Sequence, residues 1–333
     1  MIRSRDEPWI RVEDASAIGA TRRAATALAE ACGFDEHDRG RVAVAVSEAA
    51  SNLVKHAVEG TMLIRPHPEA DAAVEVIALD KGPGIRDLTR AVRDGYSTTG
   101  TLGLGLGGIT RMASVHEVYS LPGRGTVVSM CFTATDEPPP PLRMSGLTRP
   151  IGEEVVCGDA FAYVEDGGTA VGLLCDGLGH GVAAAAASRE AVRVFQDHHD
   201  LPVTQLLERI HRALAGTRGG AVAIARLDRE RGLVRYGGLG NISGWIVHGE
   251  GRQGMVSMPG IAGHQRSRLR EYEYALPPRA LLVLHSDGLS DRWDVASFPG
   301  LPARSPVVVA ATLLRDAGTR RDDATVLAMR TAP

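Results

Sequence analysis

The sequence predicts an α+β protein with two domains. The chain has 333 residues, enough for two domains of ordinary size. Residues 136–141 read D-E-P-P-P-P, and such a run forms an extended spacer because proline fixes φ and lacks the backbone N–H. Each side of the run has its own strand-end carboxylates and glycine-rich turns. We therefore expect a first domain over residues 1–135, a linker over 136–146 and a second domain over 147–333. A surface loop within one domain is the alternative for the proline run.

The composition argues against several classes of protein. Hydrophobic residues make up 44% of the chain and charged residues 23%, as in soluble globular proteins. The net charge of -3 gives no reason to expect nucleic acid or an anionic membrane as a partner. No apolar run reaches membrane-spanning length, and the N-terminus M-I-R-S-R-D-E-P is too polar for a signal peptide. The four cysteines form no C-x-x-C pair. We expect them to be reduced core residues of a cytoplasmic protein.

The first half begins with a short strand and two helices. The strand is expected over residues 10–12. Asp14 or Ser16 is suited to cap the first helix, and Gly33 to end it. Asp35 starts a second, longer helix.

The second helix carries a polar stripe. Glu48, Asn52 and His56 follow one another at i, i+4 and i+8, which places them on one face. Taken alone, this stripe is most simply the solvated face of an amphipathic helix. Lys55 and His56 fit core or surface roles equally well.

Glycine-rich segments follow the strand expected over residues 73–79. This strand ends in Asp80, and Gly82 and Gly84 form the turn after it. Such a carboxylate can accept the exocyclic amine of adenine, while the glycines let a base approach the backbone. A later run can turn backbone N–H groups towards a polyphosphate and opens a helix whose N-terminus favours anions. Its glycines include Gly103, Gly105 and Gly107.

Together these segments resemble the GHKL (histidine-kinase-like) ATPases, most closely the anti-sigma-factor serine kinases of the RsbT and RsbW kind. The resemblance covers residues 42–126 approximately, and it implies an α/β sandwich, the Bergerat fold, that binds ATP and Mg²⁺. It implies Glu48 as general base and Asn52 as a Mg²⁺ ligand. The residues implied in nucleotide binding are Asn52, Asp80, Gly82, Gly84, Gly103, Gly105, Gly107 and Thr126.

The second half repeats one pattern, an apolar strand that ends in aspartate. One such end is most often a turn. Four in one domain point instead to carboxylates that converge on a pair of divalent cations. The acidic ends are Asp159, Asp176, Asp287, and Asp322 with Asp323. Strands are expected over residues 147–156, 161–164, 170–175, 221–227, 233–237, 243–248, 255–258, 281–284 and 326–329, and helices over 182–197, 203–214 and 307–317.

The motifs G-D, D-G-x-G-x-G, S-D-G and D-D-x-T, in this order, resemble the PPM-type metal-dependent Ser/Thr phosphatases of the compact SpoIIE and RsbX branch. The resemblance covers the second half and implies an α-β-β-α sandwich with two Mn²⁺ or Mg²⁺ ions. It implies Asp176 and Asp287 as catalytic residues. The implied metal ligands are Asp159, Asp176, the Gly177 carbonyl, Asp287, Asp322 and Asp323.

Three positions of the second half differ from the family or stay open. Larger eukaryotic members have an acidic residue where Gly158 stands. Their phosphate-binding arginine has no counterpart that the sequence places. His180 has two open interpretations, as a proton donor to the leaving serine or as a helix cap.

The two resemblances imply a bifunctional signalling switch. The first domain would be an ATP-dependent protein-serine kinase and the second a metal-dependent phosphoserine phosphatase, both acting on STAS-type (anti-anti-sigma) partners. One alternative is a phosphatase with a nucleotide-responsive regulatory domain. Another is an anti-sigma module that binds a sigma factor. The oligomeric state is open, a homodimer included.

Overall fold

The computed structural model divides the chain into two compact units. The N-terminal unit is Glu7–Pro141, and the C-terminal unit combines Met1–Asp6 with Leu142–Pro333. The structure describes residues 2–3, 8–92, 105–135, 137–249, 251–265 and 268–330. No helix in these ranges has the length and apolar character needed to cross a membrane. The first strand of the chain, β1 (Ile2–Arg3), pairs with a strand of the C-terminal unit.

Two long helices of the N-terminal unit begin at aspartate caps. The side chain of Asp14 accepts the backbone N–H of Ser16 at 2.8 Å at the start of α1 (Ala15–Ala31). Asp14, and not Ser16, is therefore the cap. Asp35 caps α2 (Glu36–His56) through the N–H of Asp38 at 2.8 Å. Each cap satisfies a backbone donor that the first helical turn leaves free.

An antiparallel sheet completes the N-terminal unit. Its strand order is β2-β3-β4-β6-β5. The strands are β2 (Trp9–Arg11), β3 (Thr61–Pro66), β4 (Ala73–Leu79), β5 (Val115–Leu121) and β6 (Gly125–Thr133), and two shorter helices are α3 (Leu88–Ala91) and α4 (Gly105–Met112). The core forms where α1, α2 and α4 meet the sheet, with Val46, Val76, Ile109 and Phe132 buried together. This packing places the second half of α2 next to the end of β4.

The C-terminal unit is built from two sheets. Its strands are β7 (Met144–Arg149), β8 (Asp159–Asp166), β9 (Thr169–Gly177), β10 (Gly220–Asp228), β11 (Leu233–Leu239), β12 (Ser243–His248), β13 (Gly251–Met255), β14 (Ser257–Met258), β15 (Tyr272–Ala275), β16 (Leu281–His285) and β17 (Ala324–Arg330). One sheet has the order β1-β8-β9-β10-β11-β14, with β15 also paired to β11, and the other has the order β13-β12-β16-β17-β7.

The two sheets and three helices form an α-β-β-α sandwich. Side chains of both sheets, such as Phe161, Leu174, Leu282 and Leu327, fill the space between the sheets. The helices are α5 (Gly181–His198), α6 (Val203–Ala213) and α7 (Pro306–Asp316). Helices α5 and α6 pack on β8 to β11, and α7 packs on β7 and β17. Each sheet is thus covered on its outer face, as apolar strands require.

Several boundaries differ from the sequence expectation. The strand expected over residues 147–156 is wrong in its second half, because β7 ends before Pro150, which has no N–H to continue the ladder. The strand expected over 255–258 is split between β13 and β14, and β15 was not expected. The expected linker, 136–146, overlaps the start of β7. Strand β1 pairs with β8 of the C-terminal unit, although residues 1–135 were expected to form the first domain.

Candidate active sites of the two units

The N-terminal unit contains a cavity of about 590 Å³. Its walls come from the second half of α2, the end of β4, the loop after β4 and the start of α4. This volume lies in the usual range for a small-molecule site. Six of the residues implied in ATP binding and catalysis line it, namely Glu48, Asn52, Asp80, Gly84, Gly105 and Thr126.

Helix α2 presents a carboxylate and an amide to this cavity. Glu48 and Asn52 are one turn apart and partly buried. The opposite face of the same helix is held in the core by Val42, Val46 and Leu53. The expected polar stripe is therefore part of a cavity wall, which brings a carboxylate and an amide oxygen together within one helical turn.

Asp80 is held by two backbone donors. One of its carboxylate oxygens accepts the N–H of Gly82 at 2.6 Å, and the other accepts the N–H of Thr126 at 3.2 Å. The side chain is buried, with a relative exposure of 9%. Two fixed bonds orient the carboxylate before any ligand arrives.

The turn after Asp80 requires glycine. At Gly84, φ is +67° and an added Cβ would lie 2.1 Å from the carbonyl oxygen of Leu121. Ser120 then links this turn to the last strand, because its hydroxyl accepts the N–H of Ile85 at 2.8 Å and lies 2.9 Å from the hydroxyl of Thr126. Sequence reasoning missed Ser120, which has no motif of its own.

Three implied glycines behave differently from the rest. Gly82 supports Asp80 through its N–H and is not part of the cavity wall. Gly107 is buried inside α4, where its carbonyl accepts the hydroxyl of Thr110 at 3.0 Å. Gly103 lies outside the described residues. Helix α4 begins at Gly105, whose φ is +61°.

Two aspartates of the C-terminal unit face each other across neighbouring strands. Asp159 opens β8 and is the register partner of Asp176 near the end of β9. The next residue, Gly177, has no room for a side chain, since an added Cβ would lie 2.1 Å from the carbonyl oxygen of Ala184. The strand therefore passes directly under the start of α5.

A third aspartate joins this pair. Asp287 follows β16, and the carboxyl groups of Asp159 and Asp287 lie close enough to Asp176 to repel its negative charge. Burial raises the pKa of Asp159 to about 7 and that of Asp176 to about 9, and repulsion from the neighbouring carboxylates adds to both shifts. Asp322 contributes to the repulsion at Asp176 and Asp287. Four strand-end carboxylates are thus gathered where negative charge is unfavourable.

The donor chemistry of this cluster suits a hard divalent cation. All of its side-chain donors are oxygens, which Mg²⁺ and Mn²⁺ prefer, and a cation would offset the mutual repulsion. Within the described ranges, no group of three or more His, Cys, Asp or Glu side chains is arranged to hold an ion in its present positions. The residues therefore fit a metal in kind, while their present spacing does not complete a ligand shell.

Asp323 differs from its neighbour Asp322. Its two oxygens accept the backbone N–H groups of Ile151 and Gly158, each at 2.7 Å. An added Cβ at Gly158 would lie 2.6 Å from Asp323 Oδ2 and 2.8 Å from the Cβ of Ala184. The carboxylate of Asp323 thus occupies the space that a side chain at position 158 would need.

His180 is paired with a carboxylate. Its Nδ1 lies 2.5 Å from Oε1 of Glu154, and both side chains are partly exposed. It stands at the N-cap position of α5 but makes no side-chain capping hydrogen bond. No hydrogen bond therefore supports the capping interpretation, and the contact with Glu154 orients the imidazole ring.

The N-terminal unit matches a known family. The model of the histidine kinase-like ATPase domain matches residues 12–132. The serine/threonine-protein kinase RsbT of Bacillus subtilis (strain 168) is 33% identical over 124 residues, which are 37% of this chain and 93% of RsbT. The expected resemblance of the first half is confirmed.

The C-terminal unit matches a second family. The model of stage II sporulation protein E (SpoIIE) matches residues 166–332, half of the chain. The chain belongs to the SpoIIE family. A solved structure from work on the bacterial stressosome, a modular system adapted to control secondary messenger signaling, is 28% identical with a TM-score of 0.53, and the match covers 56% of this chain and 98% of that chain. RsbX in complex with magnesium is 18% identical with a TM-score of 0.49, over 58% of this chain and 98% of that chain.

These findings confirm the fold class that the sequence predicts. The protein is α+β, with a histidine-kinase-like ATPase domain followed by a SpoIIE domain in the α-β-β-α sandwich of PPM-type phosphatases. It therefore joins a domain related to a protein-serine kinase with a domain of the phosphatase type. The four cysteines are free thiols, and Cys131, Cys157 and Cys175 are buried.

Three residues around the SpoIIE-family cluster escaped sequence reasoning. Ser286 donates its hydroxyl to Asp159 at 2.6 Å and accepts the N–H of Thr325 at 2.9 Å. Asn241 donates to Asp287 at 2.6 Å. The guanidinium of Arg218 lies against Gly179, 3.2 Å from where a Cβ would stand. Ser286 is the serine of S-D-G, so its motif was visible, whereas the other two have no motif.

Proposed function

We propose that this protein phosphorylates a serine of a partner protein with its N-terminal unit and removes the phosphate with its C-terminal unit. The observation that carries the proposal is that each unit has its own acidic site. Glu48 shares a cavity with Asn52 and Asp80 in one unit, and Asp176 lies beside Asp159 and Asp287 in the other. The relatedness of the two units to a kinase and to SpoIIE supports opposite reactions on one phosphoester.

The kinase step would be a direct transfer of the γ-phosphoryl group of ATP. Glu48 takes the proton of the serine hydroxyl, the serine oxygen forms a bond to phosphorus, and ADP leaves. Asn52 would hold Mg²⁺, which neutralises charge on the phosphates. Asp80, fixed by its two backbone donors, accepts the adenine amine. Gly82 and Gly84 would support the turn beside the base, and Gly103, Gly105 and Gly107 would contribute to nucleotide binding.

The phosphatase step would be attack of water on phosphorus, with the serine as leaving group. Two Mn²⁺ or Mg²⁺ ions would supply charge neutralisation and a more acidic water. They would be held by Asp159, Asp176, the Gly177 carbonyl, Asp287 and Asp322. We assign Asp323 to bracing the loop at Ile151 and Gly158, because both of its oxygens accept backbone N–H groups.

The leaving serine needs a proton, and phosphate needs a positive charge. We propose that His180, oriented by Glu154, donates the proton to the serine oxygen. Arg218 is our candidate for the phosphate-binding arginine that the sequence could not place. Asn241 orients Asp287 through their 2.6 Å hydrogen bond.

We propose a STAS-domain protein as the partner that carries the serine. RsbT is described as a serine/threonine-protein kinase, and one similar structure comes from the stressosome, both of which support a partner-switching role. A sigma factor as a second partner, a homodimer, and action in the cytoplasm are further parts of this proposal.

Paired variants test the two activities. The full-length protein is incubated with ATP, Mg²⁺ and each candidate STAS protein, and phosphoserine is followed by mass spectrometry. Glu48→Ala should abolish phosphorylation and leave Mn²⁺-stimulated hydrolysis of p-nitrophenyl phosphate unchanged. Asp176→Asn should do the reverse. Exposed carboxylates serve as controls, Glu36→Ala in α2 and Asp166→Asn at the end of β8.

Two results would contradict the proposal. Loss of both activities in either variant would mean that the sites are not separate. If the wild-type protein hydrolyses p-nitrophenyl phosphate but Asp176→Asn forms no phosphoserine on any STAS protein, the protein is a phosphatase with a nucleotide-responsive domain.

A further inference from the structure

Large apolar side chains are exposed next to the acidic site of the C-terminal unit. Val155 is 77% exposed, Val182 is 72% exposed and Leu178 is 50% exposed. They are three of the seven large hydrophobic residues that are exposed in the described part of the chain. We call these three residues the apolar rim.

The members of the apolar rim are neighbours in space. Val155 follows Glu154, whose carboxylate contacts His180 and lies 3.1 Å from where a Cβ of Gly181 would stand. Leu178 and Val182 flank that same segment on either side. Each member of the rim thus lies within two residues of Glu154 or His180 in the chain, and Leu178 directly follows Asp176 and Gly177.

The exposure of the rim is built into the backbone. The N–H of Leu178 donates to the carbonyl of Gly219 at 2.9 Å. Gly179 and Gly181 have φ values of +84° and +73°, which fix the turn between Leu178 and Val182. The exposed residues of the first two turns of α5 are also apolar: Val182, Ala183 and Ala186. Solvent-facing helix positions are ordinarily polar, so this surface is suited to contact with another molecule.

We propose that the apolar rim is the docking surface for the protein that carries the phosphoserine, and that this protein presents an apolar surface beside its phosphoserine. This inference rests on the proposed phosphatase activity. Leu178 directly follows Asp176 and Gly177 in the chain, so a protein whose phosphoserine reaches Asp176 comes close to the rim. The nearby acidic groups, Glu153, Glu154 and the cluster itself, disfavour a partner whose phosphoserine is flanked by acidic residues.

Burial of one Val or Leu side chain at an interface contributes on the order of a ten-fold change in affinity. A small phosphoester does not reach the rim and gains nothing from it. Changes in the rim should therefore separate protein substrates from small ones.

The test compares two substrates in full-length variants. Val155→Ser and Val182→Ser remove rim side chains, and Val256→Ser is the control because Val256 is 50% exposed in the link between β13 and β14. The protein probe is a STAS-domain protein with phosphoserine incorporated at its serine, and the small probe is p-nitrophenyl phosphate. The rim variants should lower kcat/KM for the phosphoprotein about ten-fold, with p-nitrophenyl phosphate hydrolysis within two-fold of wild type, roughly the scatter that surface changes produce. The control should change neither.

Other outcomes would overturn the inference. Equal losses on both substrates would mean that the rim supports the site and not docking. Unchanged phosphoprotein kinetics would mean that the substrate does not touch it, and a dimer in sedimentation experiments that the rim variants dissociate would then assign the rim to a second copy. A wild-type protein active on p-nitrophenyl phosphate and inactive on the phosphoprotein would instead reject the STAS substrate of the proposed function.

Discussion

The substitution Ser286→Ala tests how the carboxylate cluster is held in place. The Ser286 hydroxyl is fully buried between Asp159, which accepts its hydrogen bond at 2.6 Å, and the N–H of Thr325, which donates to it at 2.9 Å. Alanine removes both bonds and leaves a buried carboxylate oxygen and a buried N–H group without this partner. Asp159 is 4% exposed, so water cannot readily replace the hydroxyl.

The expected magnitude follows from these two bonds. A hydrogen bond to a charged group contributes about 1.5–3 kcal/mol, and an unsatisfied buried donor costs about 1–3 kcal/mol. Because the two effects overlap, we expect a loss of about 2–4 kcal/mol in the free energy of unfolding. Displacement of Asp159 should also raise the half-saturating Mn²⁺ concentration about ten-fold, which corresponds to about 1.4 kcal/mol.

Calorimetry and metal titrations of phosphatase activity measure both effects. Each kcal/mol should lower the Tm of a unit of this size by about 2–4 °C. Ser188→Ala is the matched control, since Ser188 is about as buried and its hydroxyl bonds to the carbonyl of Ala185 in its own helix, away from the carboxylate cluster. The reasoning is refuted if Ser286→Ala destabilises no more than Ser188→Ala and leaves the Mn²⁺ dependence unchanged.

Three further predictions concern the N-terminal unit. Asp80→Asn should weaken ATP binding about 10–100-fold in isothermal titration calorimetry, because a charge-assisted acceptor is lost; unchanged affinity would exclude Asp80 from adenine recognition. Gly84→Ala should destabilise by about 1–3 kcal/mol more than Gly123→Ala, since both have positive φ but only Gly84 has a carbonyl in the way; equal melting curves would contradict this. Burial lowers the pKa of His67, so the unfolded chain binds its proton more readily, and stability should fall as the pH drops through about 6.5. His67→Gln should flatten that dependence in denaturant titrations, and a slope unchanged from wild type would show that His67 is not its source.

Local signals in the sequence predicted most of the fold. Aspartate caps placed the starts of α1 and α2, Gly33 placed the end of α1, and strand-forming composition placed β4 and β16. These elements depend on hydrogen bonds and burial that neighbouring residues decide. The strand expected over residues 147–156 stops early because Pro150 has no N–H for the ladder, and beyond it the N–H groups of Ile151 and Gly158 bond to Asp323 instead. Long-range pairing overrode local propensity at that point.

The sequence indicated the acidic residues of the candidate sites, but not the residues that hold them in place through hydrogen bonds. The acids stood out because each was expected at a strand end, although in the structure Asp159 opens β8 and Asp322 precedes β17. Ser120 and Asn241 could not be found in this way, because the bonds that join Ser120 to Ile85 and Asn241 to Asp287 connect residues distant in sequence. Their positions become visible only when the strands are in register.

Asp322 and Asp323 show why adjacent identical residues can have different tasks. The sequence gives both a carboxylate at the same strand end, so residue type alone cannot separate them. In the structure, Asp323 is buried and bonded by two N–H groups from residues 151 and 158, whereas Asp322 is partly exposed and adds to the repulsion at Asp176. An anion already satisfied by two fixed donors gains less from a cation than one facing other carboxylates. The assignment of the ligand role to Asp322 therefore depends on backbone donors in a remote loop, and Asp323→Asn should loosen that loop while Asp322→Asn weakens the metal dependence directly.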